Sequence, residues 1–231
     1  MFRLFYFLSC LFFYSSFSSV VAQNQNNDYQ VYGLNPTLYN GKVYNYFPGI
    51  GVKGHQYFQT KEFEKGSLSI RSHIYKNVDL NYDILNQEVI LKYTDPQGSF
   101  RLLTVSKAWL SKFTIGEEEF LFINSPDSSE FIVQKLNSGH LQMYIHWTKR
   151  LIANISFVSE HYVFEEKKQT LYLSYNNLFL EYKNAKTILD VLAPSNQEKV
   201  KLYMKKQKIK SRTTSVQEIK LLLDFCNQLI L

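Results

Sequence analysis

Between Tyr29 and Tyr182 the chain is a succession of short runs rich in Tyr, Phe, Val, Ile and Leu, each broken by a turn signal after about 8 to 12 residues. Runs this short do not sustain an amphipathic helix, and their spacing matches antiparallel strands joined by tight corners. In Ser67-Leu68-Ser69-Ile70-Arg71, Leu68 and Ile70 share one strand face. Over Ile74 to Tyr82, regular alternation assigns Ile74, Lys76, Val78, Leu80 and Tyr82 to one face, and Tyr75, Asn77, Asp79 and Asn81 to the other. Glu88 to Tyr93, Phe100 to Val105, Trp109 to Ile115, Phe120 to Ile123, Phe131 to Leu136 and Leu141 to Trp147 continue the series. Asp95-Pro96-Gln97-Gly98, Gly116 and Ser138-Gly139 supply corners. Asn176-Asn177, between Leu171 to Tyr175 and Leu178 to Tyr182, predicts a two-residue hairpin, because asparagine tolerates left-handed backbone.

After Lys183 the period lengthens. Thr187 to Leu192 reads as a short helix stopped by Pro194. Ser195 with Glu198 makes a capping box for a second helix, whose apolar side is Val200, Tyr203 and Met204. Thr214 with Gln217 opens a third, which places Ile219, Leu222, Leu223, Cys226 and Ile230 near one face. Strands first and helices last predict an α+β fold. In it, a mainly antiparallel sheet of barrel or sandwich form spans 29–183, and a basic segment of about three helices, 184–231, packs on it. No internal repeat is present, and the amide-rich stretch 23–28 reads as a flexible mature terminus.

What holds such a sheet together depends on the compartment. Arg3, the apolar stretch Leu4 to Phe13 and the small-residue tail ending Val20-Val21-Ala22 have the layout of a signal peptide cut before Gln23. A retained anchor would need roughly 20 apolar residues, twice what precedes the serines. Phe7-Leu8-Ser9-Cys10 is a poor lipidation site, since cutting there strands Leu11 to Phe13 on the mature end. With Cys10 removed, Cys226 is the sole thiol and no intrachain disulfide can form. The mature chain must then hold itself together through its aromatic and aliphatic surface. No later stretch reaches membrane-spanning length, so a soluble periplasmic or secreted protein is expected.

Charge divides the mature chain. From Gln23 to Lys183 there are 16 basic and 16 acidic residues, whereas Asn184 to Leu231 carries nine basic against four acidic. Lys199, Lys201, Lys205, Lys206, Lys208, Lys210 and Arg212 fall in one stretch without a carboxylate. Such a cluster suits an anionic lipid surface or an acidic partner, and otherwise serves as a solvated helix face. Nucleic acid is not an expected partner, because no aromatic residues alternate with these cations as a stacking platform requires. A second candidate surface is the aromatic stretch Tyr29, Tyr32, Tyr39, Tyr44, Tyr46, Phe47, Tyr57 and Phe58. It fits either a sugar or peptide platform or ordinary strand packing. The binding candidates are therefore Lys205, Lys206, Lys208, Lys210 and Arg212, with Tyr44, Tyr46 and Tyr57.

Motifs for chemistry are weak. Gly49-Ile50-Gly51-Val52-Lys53-Gly54 has dinucleotide-loop spacing, but Pro48 precedes it and no helical period follows. His55, His73, His140, His146 and His161 lack metal-site spacing; on one strand face, His140 and His146 would stand roughly 20 Å apart. Glu117-Glu118-Glu119 reads as a solvated turn, since alternate strand residues face opposite ways, and Glu165-Glu166-Lys167-Lys168 as a charged loop. Cys226, within a helical run, reads as a buried inert thiol. The residues nominate no catalytic group, no metal ligand and no cofactor.

Four segments together resemble a family of uncharacterised exported proteins from Bacteroidetes-type bacteria. They are Gly54-His55-Gln56-Tyr57-Phe58, Gly66-Ser67-Leu68-Ser69-Ile70, Tyr75-Lys76-Asn77-Val78-Asp79-Leu80-Asn81-Tyr82-Asp83 and Glu88-Val89-Ile90-Leu91. The three-helix tail is similar as well, so the resemblance covers most of the mature chain. It implies a Gram-negative periplasmic or secreted location and carries over no activity. The resulting expectation is a non-enzymatic envelope module that binds a partner protein, a glycan or an anionic lipid head group. The alternative is a hydrolase of polysaccharide or peptide with carboxylates drawn from distant strands.

Overall fold

The computed structural model describes residues 35, 37–39, 41–95, 97–124, 130–155, 160–176, 178–213 and 215–230. The expected leader over 1–22 with Cys10, the expected mature terminus over 23–28, Tyr29, Tyr32, Pro96, Asn177 and Thr214 lie outside the described residues. The strands are β1 (Gly41–Val43), β2 (Glu64–Ile70), β3 (His73–Asp83), β4 (Glu88–Thr94), β5 (Phe100–Val105), β6 (Leu110–Ile115) and β7 (Glu118–Asn124). They continue as β8 (Glu130–Lys135), β9 (Gln142–Thr148), β10 (Leu151–Ile155), β11 (Glu160–Phe164), β12 (Lys168–Tyr175) and β13 (Leu178–Glu181). Helices α1 (Ala185–Val191), α2 (Pro194–Gln207) and α3 (Val216–Ile230) follow.

Eleven strands form one antiparallel sheet in the order β1-β5-β4-β3-β2-β6-β7-β8-β9-β12-β13, while β10 and β11 pair separately. The sheet is open, with β1 and β13 as its edges. It is nonetheless strongly curled. Five strand spacings separate β3 from β9, about 24 Å in a flat sheet. Gln87, in the turn after β3, still donates from Nε2 to the Trp147 carbonyl of β9 at 2.9 Å. The curl makes one face concave and continuous. Tyr75, Leu68, Phe113, Phe120, Gln134, Ile145 and Leu171 follow one another across successive strands of that face, and all are buried.

A bulge corrects the expected faces of β3. Gly66 lies opposite Val78 but Ser67 opposite Lys76, so Asn77, at φ 58°, is an extra residue in the strand. One inserted residue reverses the alternation. Val78, Leu80 and Tyr82 share one face as expected, and it is the core face, whereas upstream Tyr75 turns inward and Ile74 is 60% exposed. Asn81 is also buried, where its Nδ2 donates to the carbonyls of Thr60 and Glu62.

The helix starts differ from the capping expectation in two places. Pro194 takes the first position of α2, where its missing N–H costs nothing, and Ser195 lies inside the helix instead of capping it. Ser215 opens α3: its Oγ accepts from Glu218 N at 3.5 Å and its carbonyl from Ile219 N at 3.0 Å. The three helices cover Met143, Ile145, Leu171 and Leu173 with Ile188, Val200, Ile219, Leu222, Leu223 and Cys226.

The glycine-rich stretch 49–54 is a connection, and it leads into a clasp that joins the two sheets. Lys53 N donates to the Tyr162 carbonyl and the Lys53 carbonyl accepts from Phe164 N, while Phe58 N donates to Tyr82 and Gln56 accepts from Ile84 N. Residues 53–58 thus bond β11 on one side and the β3–β4 corner on the other.

Candidate functional site

The cationic segment is built by helix geometry. Val200 and Met204 are buried and Tyr203 stacks on Phe225 with centroids 4.0 Å apart, which fixes the inward side of α2. At 3.6 residues per turn, Lys199, Leu202, Lys205 and Lys206 must then face out. Lys199, Lys201, Lys205, Lys206, Lys208, Lys210 and Arg212 are all exposed, and Leu202 among them is 68% exposed. Among the described residues only Lys201 of this set forms an ion pair, with Glu198 at 2.7 Å. Lys205 and Lys206 occupy the last turn, where cations complement the helix dipole. Lys208 ends the helix at φ 57°. The result is a dense cationic field around one exposed aliphatic side chain.

The tyrosine candidates lie elsewhere and do other work. Tyr44 and Tyr57 are buried and Tyr46 is half-buried, packed around Ile90 with Phe63 and Leu102 on the convex side of β4 and β5. Tyr44 donates its hydroxyl to Asp83 Oδ2 at 2.8 Å and accepts from Gln56 Nε2 at 2.9 Å. Burial, more than the neighbouring Asp83 charge, raises the pKa of Tyr44 and that of Tyr57. Asp83, fully buried, also accepts from Leu85 N, Asn86 N and Asn86 Nδ2, so four donors satisfy its two oxygens. This network positions the corner after β3; Tyr44 and Tyr57 present no open ring face to a sugar.

Sequence reasoning missed two clusters. In the first, Phe47, Phe63, Lys92 and Phe100 converge with Val43 and Tyr44 around a groove of about 690 Å³. In the second, beside the clasp, Lys149 Nζ donates to the His55 carbonyl at 2.7 Å and Lys167 Nζ to the Phe58 carbonyl at 3.2 Å. Lys167 also lies 4.4 Å above the Phe58 ring and 4.6 Å above Trp147. In the 165–168 stretch, expected as a charged loop, Lys167 is thus turned onto the clasp and Lys168 begins β12. Burial lowers the pKa of both ammonium groups and of His55, and Lys149 adds to the depression at His55. Only the exposed aromatic crowding over 29–58 hinted at the first cluster; no sequence signal marks the second.

The remaining motifs are dispersed. Glu118 accepts from Gln134 and Glu119 pairs with Lys112 and Lys135, so the acidic triplet is divided between partners. His73 and His140 are exposed, and His146 Nδ1 lies 2.9 Å from the Ile132 carbonyl. No three metal-ligating side chains gather among the described residues. Cys226 has no exposed surface, and burial pushes its thiol up to about 12. No helix among the described residues is long and apolar enough to cross a membrane. No protein-family model, curated protein or solved structure matches the chain.

Proposed function

We propose that this chain is an exported, non-enzymatic binding module of the cell envelope, which docks on anionic lipid head groups through the cationic face of α2 and the residues that follow it. One observation carries the reading: Leu202, 68% exposed, stands on the same helix face as Lys199, Lys205 and Lys206, none of them ion-paired among the described residues. Lysines are flexible point charges that suit phosphate head groups, and each contributes about 1 kcal/mol near an anionic bilayer. An exposed leucine among them adds apolar contact at the interface. An acidic protein partner would be served by the charges without the leucine.

Co-sedimentation with phosphatidylglycerol vesicles tests this. Binding is expected at low salt, with loss in 0.5 M salt, on neutral phosphatidylcholine and in Lys205→Glu/Lys206→Glu. Leu202→Asp should weaken it further than charge alone explains. Equal binding by the double variant would remove α2 from the interface. Export is tested separately: the mass of the product recovered from the native host should begin at Gln23, and a product retaining Met1 would defeat that part.

A further inference from the structure

The groove around Phe47 and Phe100 has a composition that the lipid-surface reading does not use. Its volume, about 690 Å³, falls within the range of small-molecule sites, roughly 300 to 1,000 Å³. It lies on the convex side of the sheet, where β1, β4 and β5 meet the connection that follows β1. Val43, Phe47 and Phe100 on its rim are 74%, 65% and 71% exposed. Tyr44 meets Phe47 edge to face at 5.9 Å, and Phe63 and Leu102 complete an apolar wall. With their ring planes at 74°, Tyr44 and Phe47 do not form one flat platform on which a sugar stacks.

Its charge is of one sign. The only charged residues lining it are Lys92 and Arg101. Arg101 is held by Asp95 at 2.9 Å. Lys92 has no ion pair among the described residues; its Nζ lies 4.6 Å from the Phe100 ring centre and 5.8 Å from that of Phe63. An ammonium set between two rings of an apolar trough complements a ligand with one anionic end and a hydrocarbon body.

We infer that this groove binds a free single-chain carboxylate amphiphile, with its carboxylate at Lys92 and its chain along Phe47, Phe63 and Phe100. The site shares no residue with the cationic face of α2, so either assignment can fail alone. Calorimetric titration of the purified chain with dodecanoate, below its micelle concentration, tests the inference. A saturable one-to-one isotherm is expected. Lys92→Gln should weaken it about tenfold, as loss of a charge-assisted contact does, and Phe100→Asp should abolish it. Because Phe100 is exposed, that variant keeps its core, which far-UV circular dichroism can verify. Lys205→Glu/Lys206→Glu should bind dodecanoate as the parent does. Dodecyltrimethylammonium binding as tightly as dodecanoate would overturn the inference, as would unchanged dodecanoate affinity in both groove variants or a non-saturable isotherm.

Discussion

Around Phe113 and Phe120 the sheet covers itself, whereas around Met143 and Leu173 it is covered by helices. In the first region Phe113 and Phe120 stack at 4.7 Å, Tyr82 meets both edge-on, and Phe58 from the clasp closes over Phe120 at 5.2 Å. In the second the filling is mainly aliphatic, with Ile188, Val200, Ile219, Leu222 and Leu223 on Met143, Ile145, Leu171 and Leu173. Position in the sheet explains the difference. Strands β2 to β7 lie in the interior of the sheet, where the curl brings their side chains together across the concave face. Strands β9, β12 and β13 end the sheet, where no further strand returns to cover them. Helices supply that cover, and Trp147 touches both cores.

Breaking each core in turn tests whether the two are one cooperative body. Phe120→Ala should cost about 4 kcal/mol, since it empties the centre of the ring cluster. Leu222→Ala, in the helical cover, should cost about 3 kcal/mol. In urea, both should lower a single transition reported alike by circular dichroism and tryptophan fluorescence. A Leu222→Ala protein that unfolds in two steps would split the comparison into separate domains.

A finer cut separates how the helices are seated from how they are filled. Leu141 N donates to Asn227 Oδ1 at 2.8 Å, and Asn227 Nδ2 donates to the Leu141 carbonyl at 3.0 Å, so α3 is bonded directly to the start of β9. Gly139 permits that approach: it sits at φ +130°, and a Cβ there would stand 2.6 Å from Asn227 Cγ. Gly139→Ala should therefore destabilise by about 2 kcal/mol, from strain and displaced α3 contacts together. A midpoint unchanged in urea would show that α3 is held by its apolar face alone.

The smallest effect, read between pH 8 and pH 10, sharpens the comparison through proton binding. Buried Cys226 keeps its proton up to about 12, while an unfolded thiol loses its proton near 9.0. Between those values the unfolded state binds fewer protons than the folded one, so stability falls as pH rises. The contribution is fully present below pH 9 and drains by about 1.4 kcal/mol per pH unit up to pH 12. Tyr182, also raised to about 12, adds a loss of the same sign from pH 10 upward. Urea midpoints of the parent and Cys226→Ala at pH 8 and pH 10 isolate the thiol. A parent that loses no more stability than Cys226→Ala over that interval would mean that the helical core opens readily to solvent.

Much of this architecture was legible locally. Leu68 and Ile70 alternate into the core as expected, the turn at Asn176 adopts φ 46°, and Ile219, Leu222, Leu223 and Cys226 line the buried side of α3. What escaped was short or displaced by one residue. Gly41–Val43 is too brief to carry a period, Leu151–Ile155 shows no alternation, and the bulge at Asn77 reverses faces without any turn signal. The aromatic candidates show the same limit: Tyr44 and Tyr57 are buried, and Phe63, Lys92 and Phe100 meet only through the pairing of β4 with β5 and the loop laid over them.

The sequence by itself therefore determined the order of strands and helices, the switch of period after Lys183 and the outward cationic run. Each of these follows from backbone geometry within a few residues. The tertiary structure alone decided the strength of the curl, the clasp at residues 53–58 and which rings line a groove. Those depend on strand register and on contacts between residues far apart in the chain, and a single inserted residue such as Asn77 is enough to change them.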